Sequence, residues 1–117
     1  MEIVVEQGKL AKALGIVSRV AAGSKTTLPI LNNVLIKSTE GKVMLTTTNL
    51  DMAIVNYVGV ASSSEGEITV PARLLADFVS NLPKGEIKLV ATESKLTVSS
   101  GKYKSVFNGA SAEDFPE

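Results

Sequence analysis

The 117-residue sequence contains no cysteine, no histidine and no tryptophan. Without cysteine, the chain has no disulfides, no thiolate chemistry and no cysteine-containing zinc or iron–sulfur site. Without histidine, it lacks the commonest general base and metal ligand. Because the usual components of most enzyme mechanisms are missing, we expect no catalytic residue, no metal site and no cofactor.

The remaining motifs for chemistry are weak. Four acids that could bind magnesium stand in separate elements without a D-x-D or E-x-x-E grouping, which disfavours a metal nuclease; they are Asp51, Glu65, Glu67 and Asp77. The segment Ser24-Lys25-Thr26 resembles the end of a phosphate-binding P-loop, but Ser24 stands where the second glycine belongs. We therefore interpret this segment as an ordinary connection.

Charge and hydrophobicity also limit the function. Twelve basic residues balance twelve acidic ones, so attraction to a polyanion has to come from local clusters of charge. Apolar runs are only a few residues long, far short of the ~20 that a membrane-spanning helix needs. No signal peptide opens the chain. We therefore expect a single soluble, cytoplasmic domain without a membrane partner.

The spacing of apolar residues predicts two helices. From Leu10 to Ala21, apolar side chains recur every three or four residues, which is typical of a helix with one buried face, and this helix is expected over residues 8–22. A second stripe begins at Leu75, with Pro71 suited to its first turn and Pro83 ending it. Alternating segments predict strands over residues 2–6, 30–37, 42–48, 50–60, 67–70, 86–91, 95–99 and 102–108.

The two halves of the chain repeat this pattern. An offset of 65 residues brings six apolar pairs into register: Ile3 with Ile68, Val5 with Val70, Leu10 with Leu75, Ala13 with Phe78, Leu14 with Val79 and Val17 with Leu82. Each half continues as three strands, so a β-α-β-β-β unit is predicted twice. The expected fold is α+β, a two-layer domain with two helices on one face of antiparallel sheets.

The exposed face of the first helix is basic. It carries Lys9, Lys12 and Arg19 among small residues and without an acid, and Lys25 follows in the next loop. Such cations can contact the phosphates of a nucleic acid without reading its bases. Alternatively, they only solvate an exposed helix. The residues alone leave both interpretations open.

The last predicted strand places Lys102 and Lys104 beside bulkier residues such as Phe107. On an edge strand, lysines can prevent aggregation. They can also pair with acids of a partner that extends the sheet. Composition does not separate these two interpretations.

Four phrases occur in an order and spacing that carry a family resemblance. They are TLPILNN at residues 27–33, TNLDM at 48–52, VPAR at 70–73 and DFP at 114–116. Together they resemble the amino-terminal domain of the bacterial sliding-clamp family, the beta subunits of DNA polymerase III. The resemblance extends over essentially the whole chain.

The resemblance implies the DNA clamp fold and a non-catalytic role as a processivity factor in DNA replication. In that family, each protomer has three similar domains, and two protomers close head to tail into a ring around duplex DNA, with helices lining the hole. Residues 1–117 are then expected to be the first domain, with the second and third domains absent from this chain. DNA polymerase and the clamp loader are expected to bind those absent domains.

The resemblance also assigns roles to residues. Lys9, Lys12 and Arg19 are expected to face the DNA, together with Lys25 and with Arg73, which matches a DNA-contacting arginine of the family. Lys102, Lys104 and Phe107 are expected to lie at the interface between protomers. The alternative is a free-standing nucleic-acid-binding or protein-interaction module that shares only the α+β architecture.

Overall fold

A computed structural model of the chain describes residues 1–22, 33–39, 41–48, 53–60, 62–92 and 94–109. This part contains two helices, α1 (Gln7–Ala22) and α2 (Ala72–Ser80). Neither helix combines the length and the apolar character needed to cross a lipid bilayer. The strands are β1 (Glu2–Glu6), β2 (Asn33–Thr39), β3 (Lys42–Thr48), β4 (Ala53–Gly59), β5 (Ser62–Ser63), β6 (Gly66–Pro71), β7 (Glu86–Ala91), β8 (Lys95–Ser100) and β9 (Tyr103–Asn108).

The strands form two antiparallel sheets. The first, which we name the β9 sheet, has the order β5-β1-β7-β8-β9, and the second, the β4 sheet, has the order β4-β3-β2-β6. Each half of the chain therefore supplies three consecutive strands to one sheet and its first strand to the other. This exchange of β1 and β6 ties the two repeats into one domain with a shared core.

The predicted duplication is confirmed by the strand registers. In the β9 sheet, Ile3 lies opposite Leu89, and in the β4 sheet the equivalent Ile68 lies opposite Ile36. The offset of 65 residues holds for the first strand and the helix of each half. It falls to 53 residues for the following strands, because α2 has 9 residues where α1 has 16 and the connection after α2 is also shorter.

The core lies between the helix layer and the two sheets, and the helices pack side by side. Leu10, Leu14 and Val17 of α1 and Leu75 and Val79 of α2 are buried. Each fully buried side chain of this size stabilises the fold by roughly 1.5–3 kcal/mol. The strands contribute Ile3, Val5, Val34, Ile36, Val43, Leu45, Val58, Ile68, Val70, Ile87, Leu89, Leu96 and Val98 to the same cluster.

Two buried polar side chains fasten the helices. The Nε2 amide of Gln7 donates to the carbonyl of Val79 at 2.8 Å and joins the start of α1 to α2. The Thr47 hydroxyl donates to the carbonyl of Val17 at 2.6 Å and joins β3 to α1. A buried hydrogen bond of this kind stabilises by about 0.5–1.5 kcal/mol and avoids an unpaired polar group.

The serine-rich segment that was expected only to break the strands contains β5. Its backbone pairs with β1, with Ser63 opposite Ile3, and the Ser64 hydroxyl accepts a bond from the backbone of Glu2 at 2.9 Å. The helical stripe also extends beyond α2, because Leu82 is buried two residues past the helix end and its N–H bonds to the Val79 carbonyl at 3.1 Å.

A close backbone approach joins the two sheets at the end of β9. A Cβ atom placed on Gly109 would lie 2.5 Å from the carbonyl oxygen of Thr69 in β6, closer than such atoms can come. The Gly109 N–H bonds to the Ser94 carbonyl at 2.7 Å, which fixes its position. Glycine is therefore required here for contact and not for a turn.

Candidate nucleic-acid interface and sheet edges

The open surface of the helix layer carries Lys12 and Arg73. Lys12 lies two residues, or about 200° of helix rotation, after the buried Leu10, so its side chain points away from the core. Arg73 lies in the first turn of α2, two residues before the buried Leu75. Both cations are exposed. In the part of the chain that the structure describes, the ion pair within 4.0 Å is that of Lys88 with Glu2, on another surface.

Two further predicted DNA contacts are not tested by this geometry. Lys25 lies outside the described residues, and the side chain of Arg19 does as well. The backbone of Arg19 belongs to α1. Both assignments therefore stay predictions.

Lys9 lies at the margin of the open surface. It stands on the side of α1 that faces β4, where a shallow cleft is lined by Lys9, Lys12, Ala13, Ile16, Asn56, Tyr57, Val58 and Gly59. Lys9 also lines a second cleft at the start of α1. Of the three predicted cations on α1, Lys9 thus has the most protein surface around it.

The helix layer also exposes an acid to which the sequence pattern gave no role. Asp77 is exposed on α2, four residues after Arg73 and on the same side of the helix. By the repeat it occupies the position equivalent to Lys12. The positive charge of the surface is therefore concentrated on α1 and on the amino-terminal end of α2. In the described ranges, no three acidic side chains come together in a way that could hold a metal ion.

The predicted protomer interface lies on β9, an edge strand of its sheet. Lys104 and Phe107 point to opposite faces of β9, and Lys102 stands in the turn just before the strand. Phe107 is half-buried, not open as an unpaired edge residue would be, because it packs edge-to-face on Phe78 of α2 with ring centroids 5.7 Å apart. Tyr103 has 55% of its surface exposed.

Leu74 extends this apolar edge and was missed in the sequence. Its side chain is 62% exposed and stands one helical turn before Phe78, on the same side of α2. A leucine that precedes a phenylalanine by four residues, outside the buried stripe of Leu75 and Val79, is the signal that could have identified it. We name the edge formed by Leu74, Phe78, Tyr103 and Phe107 the aromatic edge.

The opposite edge of the molecule is β4. Val55 and Tyr57 are 47% and 65% exposed on the outer face of the sheet, and Asn56 points towards α1. We name β4 together with Lys9 and Ile16 of α1 the β4 edge. The repeat makes it the counterpart of the aromatic edge, but its chemistry is different.

Comparison with known proteins matches the entire chain to one family. The family model of the DNA polymerase III beta subunit, N-terminal domain, matches residues 1–117. The beta sliding clamp of Proteus mirabilis is 39% identical over 118 residues, and that of Escherichia coli K12 is 37% identical; each alignment covers 99% of this chain and 32% of the relative. The chain therefore spans about a third of the length of these relatives.

Solved structures agree with the sequence comparison. The crystal structure of the DNA polymerase III subunit beta from Pseudomonas aeruginosa superimposes with a TM-score of 0.94 at 34% identity, covering all of this chain and 32% of that one. A sliding clamp from Bartonella birtlesii bound to griselimycin gives 0.93 at 41% identity, with the same coverage. The expected two-layer α+β clamp fold is confirmed.

Proposed function

The chain belongs to the family of DNA polymerase III beta subunit N-terminal domains, and on this premise we propose that it is the first domain of a ring-shaped sliding clamp. The ring encircles duplex DNA and tethers the replicative polymerase. Two further domains complete each protomer, and two protomers close the ring head to tail. This places the protein in the cytoplasm, where replication occurs in bacteria.

The observation that carries the proposal is the arrangement of the helix layer. Both helices lie side by side on one face of the two sheets, and their open surface presents Lys12 and Arg73 without acid partners within ion-pair distance in the described part of the chain. Such cations attract phosphates irrespective of base sequence. A clamp has to slide, so contacts of this sequence-independent kind suit it.

A closed ring retains DNA by topology, so the individual contacts can be weak. The isolated chain is expected to bind duplex DNA with a dissociation constant at or above the ~10⁻⁴ to 10⁻⁶ M of non-specific binding. No catalytic residue or cofactor takes part in such a mechanism. The polymerase and the clamp loader bind the parts of the protein beyond this chain.

We assign the DNA contacts to Arg73 and Lys12 first, and to Arg19 and Lys25 by the family resemblance. Lys9, at the margin of the surface, contributes least to these contacts. The ring closes on the edge that contains Lys102, Lys104 and Phe107. Exposed backbone groups on β9 and the aromatic edge support this choice, because an unpaired edge strand readily accepts a strand from a partner.

The test uses the full-length protein with Lys12→Ala and Arg73→Ala, measured for binding to nicked circular DNA over a range of salt concentrations. Each variant should lower the slope of log K against log salt by about 0.9, the value expected for one lost phosphate contact. Lys37→Ala, an exposed lysine on the outer face of the β4 sheet, is the control and should leave the slope unchanged.

Two outcomes contradict the proposal. Unchanged salt slopes in both variants would remove the helix layer from the DNA interface. Nanomolar, sequence-selective binding by the isolated chain at physiological salt would favour the free-standing module instead.

A further inference from the structure

The β4 edge lacks the devices that usually protect a free edge strand. Its seven residues, Ala53–Gly59, contain no proline and no charged side chain. On its open side, no strand of the described part of the chain pairs with it. Natural proteins blunt such edges with lysine, proline, bulges or a cover, because an uncharged, unpaired strand is a template for association. β9, by contrast, carries Lys104. The composition of β4 therefore indicates a strand that is covered in the working protein.

The side chains around β4 show what kind of cover fits. Val55 and Tyr57 offer apolar surface on the outer face. On the inner face, the half-buried Asn56 amide has no hydrogen-bond partner, and Lys9 has no ion-pair partner, among the residues that the structure describes. Both line the cleft between α1 and β4. A cation beside an unpaired amide is suited to a carboxylate.

We propose that the β4 edge accepts the edge strand of a neighbouring clamp-type domain, and that this strand carries a carboxylate that binds Lys9 and Asn56. The backbone of the incoming strand pairs with β4, and an apolar side chain covers Val55 and Tyr57. Lys9 is then a residue of a protein junction and not a DNA contact. Only the source of the strand rests on the proposed ring; the chemistry of the edge does not.

A second copy of this chain is a poorer occupant, because its other edge has the wrong charge. Joining β9 of one copy to β4 of another would bring Lys102 and Lys104 near Lys9. The described residues of β9 include no acid to offset them. Duplex DNA is also a poorer occupant, because a seven-residue strand edge is satisfied by another strand and not by phosphates.

Hydrogen exchange of the β4 amides tests the inference in the full-length protein and in the 117-residue chain. The amides of residues 53–59 that face away from β3 should exchange slowly in the full-length protein and rapidly in the isolated chain. In the full-length protein, Lys9→Ala should speed their exchange by about two- to fivefold, as expected for the loss of one partly exposed ion pair. Lys9→Arg should preserve the protection.

Lys12→Ala is the matched control on the same helix and should leave β4 exchange unchanged while lowering the salt slope of DNA binding. Equal exchange of β4 in the two proteins would overturn the junction. Protection that grows with the concentration of the isolated chain would show self-association instead. If Lys9→Ala altered only the salt slope, Lys9 would be a DNA contact. A ring that fails to retain DNA while β4 stays protected would count against the proposed function alone.

Discussion

The two halves of this molecule have matching interiors and different edges. Leu10 and Leu75, or Val5 and Val70, occupy equivalent buried positions. At exposed positions the halves diverge: Lys9 of α1 corresponds to Leu74 of α2, and Lys12 corresponds to Asp77. One edge is therefore apolar and aromatic beside a lysine-bearing strand, whereas the other is an uncharged strand beside lysines.

This difference has a consequence for assembly. If both edges were alike, the domain could pair with its neighbour in either direction. Unlike edges favour contacts in which one edge meets a different edge, and such heterologous contacts produce rings when the rotation closes. The repeat thus supplies the frame, and the divergence of its exposed positions supplies direction.

The strongest way to break the comparison is to truncate matched core residues. Leu10→Ala and Leu75→Ala remove equivalent side chains, both buried. We expect each to lower the free energy of unfolding by about 2–5 kcal/mol, because a large side chain is replaced by a cavity. Urea unfolding of the isolated chain measures both. A loss below about 1 kcal/mol at one position only would show that the two interiors are not equivalent.

The aromatic edge is probed by Phe107→Ala and Lys102→Ala in the full-length protein. Removing Phe107 should weaken the dimer by roughly 1.5–3 kcal/mol of lost apolar burial, whereas a rim lysine pair contributes about 0–1 kcal/mol. Sedimentation at matched concentrations measures the association. Because Phe107 also packs on Phe78, urea unfolding of the isolated variant separates lost stability from lost association. Easier dissociation of the lysine variant would exclude packing as the main contribution.

The ends of β4 and β9 allow a smaller and sharper test. Gly109→Ala should destabilise the fold by about 1–3 kcal/mol, because the added Cβ collides with the Thr69 carbonyl. At Gly59, the end of β4, a Cβ would meet no atom within 4 Å, so Gly59→Ala should change stability by less than about 1 kcal/mol. Thermal unfolding of the two variants decides the matter; equal effects would mean that the sheets do not touch at Gly109.

Local pattern was sufficient for much of this fold. The stripe from Leu10 to Val17 and the shorter one from Leu75 to Leu82 identified both helices and most of their buried residues, because helical periodicity depends only on neighbours a turn apart. The bounds of β3 and β7 agree with the expected ranges. The duplication followed from the same periodicity.

Long-range partners were beyond the reach of that pattern. Nothing local to β1 indicates that it pairs with β7 of the other half, since any buried strand with alternating residues could do so. β5 is two residues long and polar, so it has no periodicity to detect. The need for glycine at position 109 arises from a carbonyl forty residues away in the sequence.

The candidate surfaces divide in the same way. Composition and helical spacing by themselves determined that the chain carries cations on one helix face and has no residues for common enzymatic chemistry. Only the tertiary structure decided which cations share a surface: Lys12 lies on the open helix layer, Lys9 lies beside β4, and Phe107 is half-covered by Phe78. The reason is physical, because residue type and spacing set which side of a helix or strand a side chain takes, whereas its neighbours depend on how distant elements pack.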